Sequence, residues 1–259
     1  MKKKIITNDL HKWLIVVAVI LVFSSAWLPA AELLPIKLNP PNLKRGLPLM
    51  EALAVRASAR EYSEKDLSLQ DLSDLLWAAD GMSRPAENKS TAPSAMNSHD
   101  IRIYVFMKAG AYLYDSPKHE LLPVLAGDFR SQLMTARPPR PAAPPAPATA
   151  APAGTTPPAP PVAAAPASPP SPPPPPSNPP VQIVLVSDGE RFTRGDPARK
   201  LEWGALDAGI VSQNISLFCA ATGLKTRPRA MIDKTKIKEL LKLADTQNIF
   251  LNHPVGYAK

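Results

Sequence analysis

LPLMEALAVRASAREYSEKDLSLQDLSDLLWAADG, residues Leu47 to Gly81, is the stretch on which the fold reading turns. Leu49 to Ala57 has the spacing of a short helix. Ser68 opens a second one: Ser68-Leu-Gln-Asp71 resembles a capping box with Asp in place of the longer Glu. Leu72, Leu75, Leu76 and Ala79 then recur at helical spacing and Gly81 stops the run. Between the two helices lies Arg56-Ala-Ser58-Ala-Arg60. In an extended chain, residues two apart share a face. Two guanidiniums and a hydroxyl would then point together, a set suited to a phosphate or a ring carbonyl. The plainer alternative is a solvated charged segment at a helix end, since exposed Arg is common.

Working outward, strands follow. Ile101 to Met107 alternates like a strand, and Ala111–Tyr114 with Leu121–Leu125 reads as a hairpin. Gly127 to Met134 reads as a short helix and Val181–Val186 as a buried strand. Trp203–Thr222 is predicted to be a long helix with Leu206, Ile210, Leu217 and Ala221 on one face and Gly223 as its cap. Leu224 to Met231 reads as extended, and Lys234–Leu243 as a helix with Ile237, Leu240, Leu241 and Ala244 inward. Asn248–Tyr257 reads as a closing strand. Strands and helices in this mixed order predict an α+β domain.

Of 259 residues, 33 are Pro, and 21 of those lie between Pro138 and Pro180. The excess is therefore local: residues 137–180 read as a disordered, polyproline-II-like insert that splits the domain into 47–136 and 181–259, after an extended lead-in over 32–46. The 11 Gly exclude collagen, and one Cys excludes an internal disulfide framework. Residues 1–31 start with MKKK, continue with the apolar run Trp13–Phe23 and end in SSAWLPAA. That is the pattern of a cleaved export signal, giving a periplasmic protein. The uncharged stretch 13–31 is also near membrane-spanning length, so an inner-membrane anchor and a buried helix stay open. Half of the +8 formal charge sits in the N-terminal segment and the Pro-rich block, and no basic stripe with interleaved aromatics remains, which argues against a nucleic-acid partner.

Two further clusters carry potential chemistry. In Ala92-Pro-Ser94-Ala-Met-Asn97 small residues permit close approach, and Asn97 offers a donor and an acceptor to a heterocycle edge; an ordinary Pro-Ser turn is the alternative. Arg227-Pro-Arg229, followed by Asp233 as a helix cap, is either a second cationic site or a basic loop. The four His (His11, His99, His119, His253) lack metal-ligand spacing, and GxSxG, P-loop and GxGxxG motifs are missing. Cys219 sits among apolar residues and reads as a buried small hydrophobe rather than a reactive thiol.

Taken in order, Leu47–Gly81, TAPSAMNSHDIRIYVFMKAGAYLYD (Thr91–Asp115), DAGIVSQNISLFCAATGL (Asp207–Leu224), IDKTKIKELLKL and HPVGY resemble the FMN-dependent nitroreductase family, with the thiazoline-oxidase-like dehydrogenases and their exported relatives as the nearest subgroup. The resemblance implies a mixed sheet flanked by helices, a homodimer, and FMN held in a groove at the subunit interface. It implies Arg56 and Ser58 at the FMN phosphate, with Arg60 near the ribityl chain and the N1/O2 edge of the ring. It also implies Asn97 with Ser94 at the ring or ribityl hydroxyls, and Arg229, less surely Arg227, in the late phosphate-binding loop. Catalysis would need no protein nucleophile, because the flavin carries the chemistry. The electron donor would be NAD(P)H or, outside the cytoplasm, an envelope donor. Two departures bear on the substrate pocket: the Pro-rich block occupies the middle segment, and His99 stands where Gln is common. The competing reading is a non-catalytic envelope protein on a degenerate scaffold of this type, with the Pro-rich block as a spacer.

Overall fold

The computed structural model describes residues 33–133 and 179–259; the export-signal reading (1–31) and all of the Pro-rich block up to residue 178 fall outside them. The described elements are β1 (Ile36–Lys37), α1 (Leu49–Val55), α2 (Leu69–Asp80), β2 (Met82–Arg84), β3 (Lys89–Ser90), β4 (Ile101–Phe106), β5 (Gly110–Asp115), β6 (Glu120–Ala126), β7 (Val181–Asp188), α3 (Pro197–Thr222), β8 (Lys225–Thr226), α4 (Lys234–Leu241) and β9 (Gln247–Gly256). The fold is α+β. The predicted helix at 127–134 is a 3-10 turn over Arg130–Leu133. Among the described residues, no helix is long and apolar enough to cross a membrane.

The main sheet has seven strands in the order β1-β6-β5-β4-β7-β9-β8. Every described pairing in it is antiparallel, where a mixed sheet was expected. Short turns joining β4 to β5 and β5 to β6 can only reverse the chain, and β7 and β9 each enter against their neighbour in the opposite sense. Both faces are covered. Ile101, Ile103 and Val105 of β4, with Ile183 and Leu185 of β7, pack with Leu72, Leu75, Leu76 and Ala79 of α2 and with Ala208, Val211, Ile215 and Cys219 of α3. Tyr104, Phe106, Val184 and Val186, alternating with them, face Ile237 and Leu241 of α4. Two-sided burial is the reason Ile183–Val186 is apolar without interruption.

The boundaries of α2 follow from its ends. The Ser68 Oγ accepts the Asp71 N–H at 3.0 Å and donates to Asp71 Oδ2 at 2.6 Å, so the short carboxylate closes the cap that the sequence suggested. Gly81 ends the helix because a Cβ there would come within 2.4 Å of the Trp77 ring. The lead-in is more than an extended arm. Its β1 pairs with β6, and its Arg45 bridges Asp71 at 2.6 Å and the buried Asp74 at 2.8 Å, clamping the segment to α2.

The face of α3 is the main correction to the sequence reading. Leu206 is 60% exposed, and Ile210, Leu217 and Ala221 are only partly covered. The inward face is Gly204, Asp207, Ala208, Val211, Ser212, Ile215, Ser216 and Cys219. Small and polar residues face inward because the helix lies very close to the sheet: a Cβ on Gly204 would sit 2.2 Å from Ser187 Oγ and 2.7 Å from its Cβ. Ala244, expected inward, is exposed because α4 stops at Leu241.

Further along, α3 is tied to the sheet through His253, which is fully buried on β9. The Thr226 hydroxyl donates to the Pro254 carbonyl at 2.9 Å. It therefore accepts from His253 Nδ1, 3.2 Å away, which leaves Nε2 to accept the Ser212 hydroxyl at 2.8 Å. Burial first, then the charge of Arg229, pushes the His253 pKa down to about 3.

Gly204→Ala is expected to destabilise the protein by about 1–3 kcal/mol in urea unfolding, because the added methyl must displace Ser187. The unfolded His253 binds a proton near pH 6.5 that the folded side chain refuses, so wild-type stability falls as pH drops from about 6.5 toward 3. In His253→Gln that contribution is gone, and its stability relative to wild type rises steadily on acidification; an unchanged difference at pH 7 and about pH 4.5 contradicts the assignment.

Candidate functional site

The segment after α1 and the segment after α3 meet. The Ala59 N–H donates to the Thr226 carbonyl at 2.9 Å, and the Tyr62 hydroxyl donates to the Ala59 carbonyl at 3.1 Å. Together they wall a cavity of about 510 Å³ lined by Ser58 and Arg60, by Cys219 and Gly223 at the end of α3, and by Lys225 and Thr226 of β8. Glu61 is the carboxylate side chain in that lining. Arg56 forms the C-cap of α1 beside the cavity and is not among the residues that line it. Both helices end here. Their C-terminal carbonyls carry partial negative charge, which favours the cations that follow each of them.

Arg229 lies one layer behind. Its backbone exchanges two 2.8 Å hydrogen bonds with Asn252, and its guanidinium meets the Tyr62 hydroxyl. Burial first, then the like charge of Arg227, holds its pKa below the ordinary arginine value. The Nε of Arg227 is buried without a hydrogen-bond partner. Among the described residues Arg56, Arg60 and Arg227 form no ion pair, although arginines elsewhere, such as Arg45 and Arg130, are held by carboxylates at 2.6 Å. Arg60 lines the cavity without a carboxylate partner, and Arg227, which follows Thr226 of the lining in the chain, has an orphaned buried donor; both features fit an anionic oxygen ligand.

Ser94 and Asn97 are elsewhere. Their loop sits against the first half of α3, where the Ala95 N–H donates to Asp207 Oδ2 at 2.8 Å. Asn97 borders a second cavity of about 440 Å³, with His99, Arg102, Tyr114 and Arg191. Its side chain is engaged: Lys89 Nζ donates to its Oδ1 at 2.8 Å, and its Nδ2 donates to the Asn88 carbonyl at 3.1 Å. Asp207 and Cys219, which mark the two places on the helix, are separated by about 18 Å of helix axis. One chain therefore holds the expected residues in two groups, Ser58/Arg60 with Arg227 and Arg229 at the C-terminal end of α3, and Ser94/Asn97 against its first half, and these are called half-sites below. Among the described residues, no group of three His, Cys, Asp or Glu is placed to hold a metal ion.

Lys225 and Asp207 were not singled out from the sequence. Lys225 was legible as part of the basic run after Gly223. Asp207 gave one signal, a carboxylate on what became the inward face of a helix. Cys219 is buried as expected, and its surroundings push the thiol far above its ordinary pKa, so it is inert.

The nitroreductase family model matches residues 53–257. A candidate nitroreductase of Methanocaldococcus jannaschii is 24% identical over 214 residues, covering 80% of this chain and 90% of that protein. The crystal structure of a candidate nitroreductase from Ralstonia eutropha superposes with a TM-score of 0.67 at 26% identity, covering 89% of this chain and 97% of the other. A chain of the E. coli microcin synthetase McbBCD complex shares the fold, with a TM-score of 0.56 at 14% identity over 89% of this chain and 79% of that one. With the family model spanning both half-sites and every strand of the main sheet but β1, the chain belongs to the nitroreductase family, and so to the nitroreductase-type oxidoreductases.

Proposed function

We propose that this chain is an exported, FMN-dependent oxidoreductase that works as a homodimer, passing two electrons to or from a small organic substrate. The observation that carries the reading is Arg60, without a carboxylate partner, in the lining of the 510 Å³ cavity, together with the orphaned Arg227 Nε. Arg60, Arg227 and Arg229, with Arg56 at the rim, would hold the phosphate end, and the Ser58 hydroxyl adds an acceptor and a donor there. When bound, a flavin supplies the two-electron transfer itself. The protein's part is to bind it, to orient it and to set a cation beside the ring edge that gains charge on reduction.

The homodimer follows from two features. The half-sites face different cavities in one chain, so a second copy is what would bring an Asn97 to an Arg60. And α1 presents apolar side chains to solvent: Leu49 is 63% exposed, Met50 75% and Leu53 44%. A helix this apolar on its outer face supports burial against a partner. Export rests on the pattern of residues 1–31. In that compartment NAD(P)H is scarce, which favours an envelope electron donor.

The purified protein is expected to be yellow, or to become so with added FMN, and to release flavin on denaturation. A chain that stays colourless and does not quench FMN fluorescence defeats the reading, and bound flavin without turnover by any donor favours a non-catalytic scaffold instead. Arg60→Ala is expected to weaken FMN binding by about 1.5–3 kcal/mol, roughly 10- to 150-fold in Kd, the loss of one charge-assisted bond. Light scattering should give a dimer for the wild type. Leu53→Glu should shift it to monomer and lose flavin with it; a monomeric wild type that binds FMN fully refutes the shared site.

A further inference from the structure

The loop from Ser94 to Asp100 follows a course that side chains disfavour. Met96, Asn97 and His99 have φ of 55°, 56° and 48°, and none of them is glycine. Such backbone persists only where the surroundings over-determine it. The fastenings here are few and specific. The Ala95 N–H donates to Asp207 Oδ2 at 2.8 Å, and the His99 N–H donates to Ser94 Oγ at 3.0 Å. The Ser98 hydroxyl donates to Asp100 Oδ1 at 3.0 Å, and the Ser187 hydroxyl donates to Asp100 Oδ2 at 2.6 Å. Asp100 is fully buried and Asp207 is 5% exposed, and their carboxyl groups lie against each other.

Two carboxyl groups can hydrogen-bond only if one of them keeps a proton. If both ionise in a dry interior, the same contact becomes repulsive. The surroundings offer little relief. Asp80, at the end of α2, adds a third carboxyl to the cluster. Arg191, on the turn after β7, faces Asp80 and spends one of its donors on the His99 carbonyl at 3.1 Å. The other side chains about the loop turn elsewhere: Lys89 to Asn97 at 2.8 Å, Arg194 Nε to the Met96 sulfur at 3.0 Å, and the His99 ring to the Asn88 carbonyl at 3.0 Å. Among the described residues no Lys or Arg forms an ion pair with Asp100 or Asp207.

We infer that the Asp100–Asp207 pair, sharing one proton, is a clamp that holds the loop bearing Ser94 and Asn97 in its left-handed course, and that loss of this proton releases the loop. Asp207 is thus a positioning residue on α3, acting through the Ala95 N–H. The clamp is a property of the polypeptide alone and holds whether or not a flavin binds. Burial first, and Asp100 beside it, push the Asp207 carboxyl up to about 7, and burial does the same to Asp80. An unfolded aspartate loses its proton near 3.8, so stability from this cluster is full below that pH and is lost as pH rises to about 7.

Hydrogen exchange of the full-length, flavin-free chain tests the clamp, read by mass spectrometry at about pH 6 and about pH 8.5 and corrected for intrinsic rates. In the wild type, the peptide covering 94–100 is expected to lose protection as pH rises to the titration point and no further above it, so that it is roughly tenfold less protected at about pH 8.5 than at about pH 6, while β7 keeps its own. In Asp207→Asn the amide oxygen still accepts from Ala95 and the amide NH2 donates to Asp100, so protection should be the same at both pH values. In Asp207→Ala it should be low at both. Asp80→Asn should keep the wild-type pH step. Equal wild-type protection at the two pH values overturns the proposal, as does an Asp207→Asn protein that tracks wild type or an Asp80→Asn protein that alone loses the step. If Asp207→Asn does not fold, the wild-type and Asp80→Asn profiles decide the matter between them.

Discussion

The close seating of α3 on the sheet is the constraint from which the rest of the molecule follows. At Gly204 the helix approaches Ser187 so closely that no side chain fits between them. This contact sets the helix height over β4 and β7, and with it the depth of the core formed with α2. It also sets what can face inward. Ala208, Val211, Ile215 and Cys219 fill the layer, and Asp207, Ser212 and Ser216 are carried in beside them. Each of those polar residues had to find a partner without water. Asp207 meets the Ala95 N–H and Asp100, Ser212 meets His253, and the Ser216 hydroxyl returns to the Ser212 carbonyl at 2.8 Å.

Those partners lie on the two segments that carry the expected site residues, and they are what fasten the two half-sites. At one, the His253–Thr226 pair backs the strand whose Thr226 carbonyl takes the Ala59 N–H, so the Ser58–Arg60 segment rests on a buried neutral imidazole. At the other, Asp207 and Asp100 hold the loop with Ser94 and Asn97. A single helix thus fixes the distance between cations that suit a phosphate and a loop that suits a ring edge. In the proposed function neither half-site is complete within one chain, which is why a second copy belongs to that reading. The apolar outer surface of α1 stands beside the cationic half-site and would place the partner there.

Much of the architecture was legible before any coordinates, for local reasons. Ser68 and Gly81 bracket α2 because a hydroxyl cap and a close ring contact act within one turn of the chain. The strands at 101, 111, 121, 181 and 248 were legible because β-branched and aromatic runs have few other uses. The misreadings also have causes. Leu206, Ile210, Leu217 and Ala221 do share one face of α3, but the largest apolar side chains sit outside because the inner space is too shallow for them. The short strands β1, β2 and β3 carry no periodicity to read, and β1 forms only because β6 offers it an edge.

The candidate site divides along the same line. By itself the sequence determined which residues could serve: Arg56, Ser58, Arg60, Ser94, Asn97, Arg227 and Arg229 stand in recognisable spacing, and local chemistry is enough to mark them. It also determined the α+β class. Only the tertiary structure decided that Arg60 lines a cavity while Arg56 caps a helix beside it, that Arg229 lies behind Tyr62, and that the loop with Asn97 packs against the first half of α3. These outcomes depend on which groups lose water together. Desolvation turns ordinary aspartates into a proton-sharing pair and an ordinary histidine into a fixed neutral one, and it is a property of contacts between residues 27 to 107 positions apart, not of close neighbours in the chain.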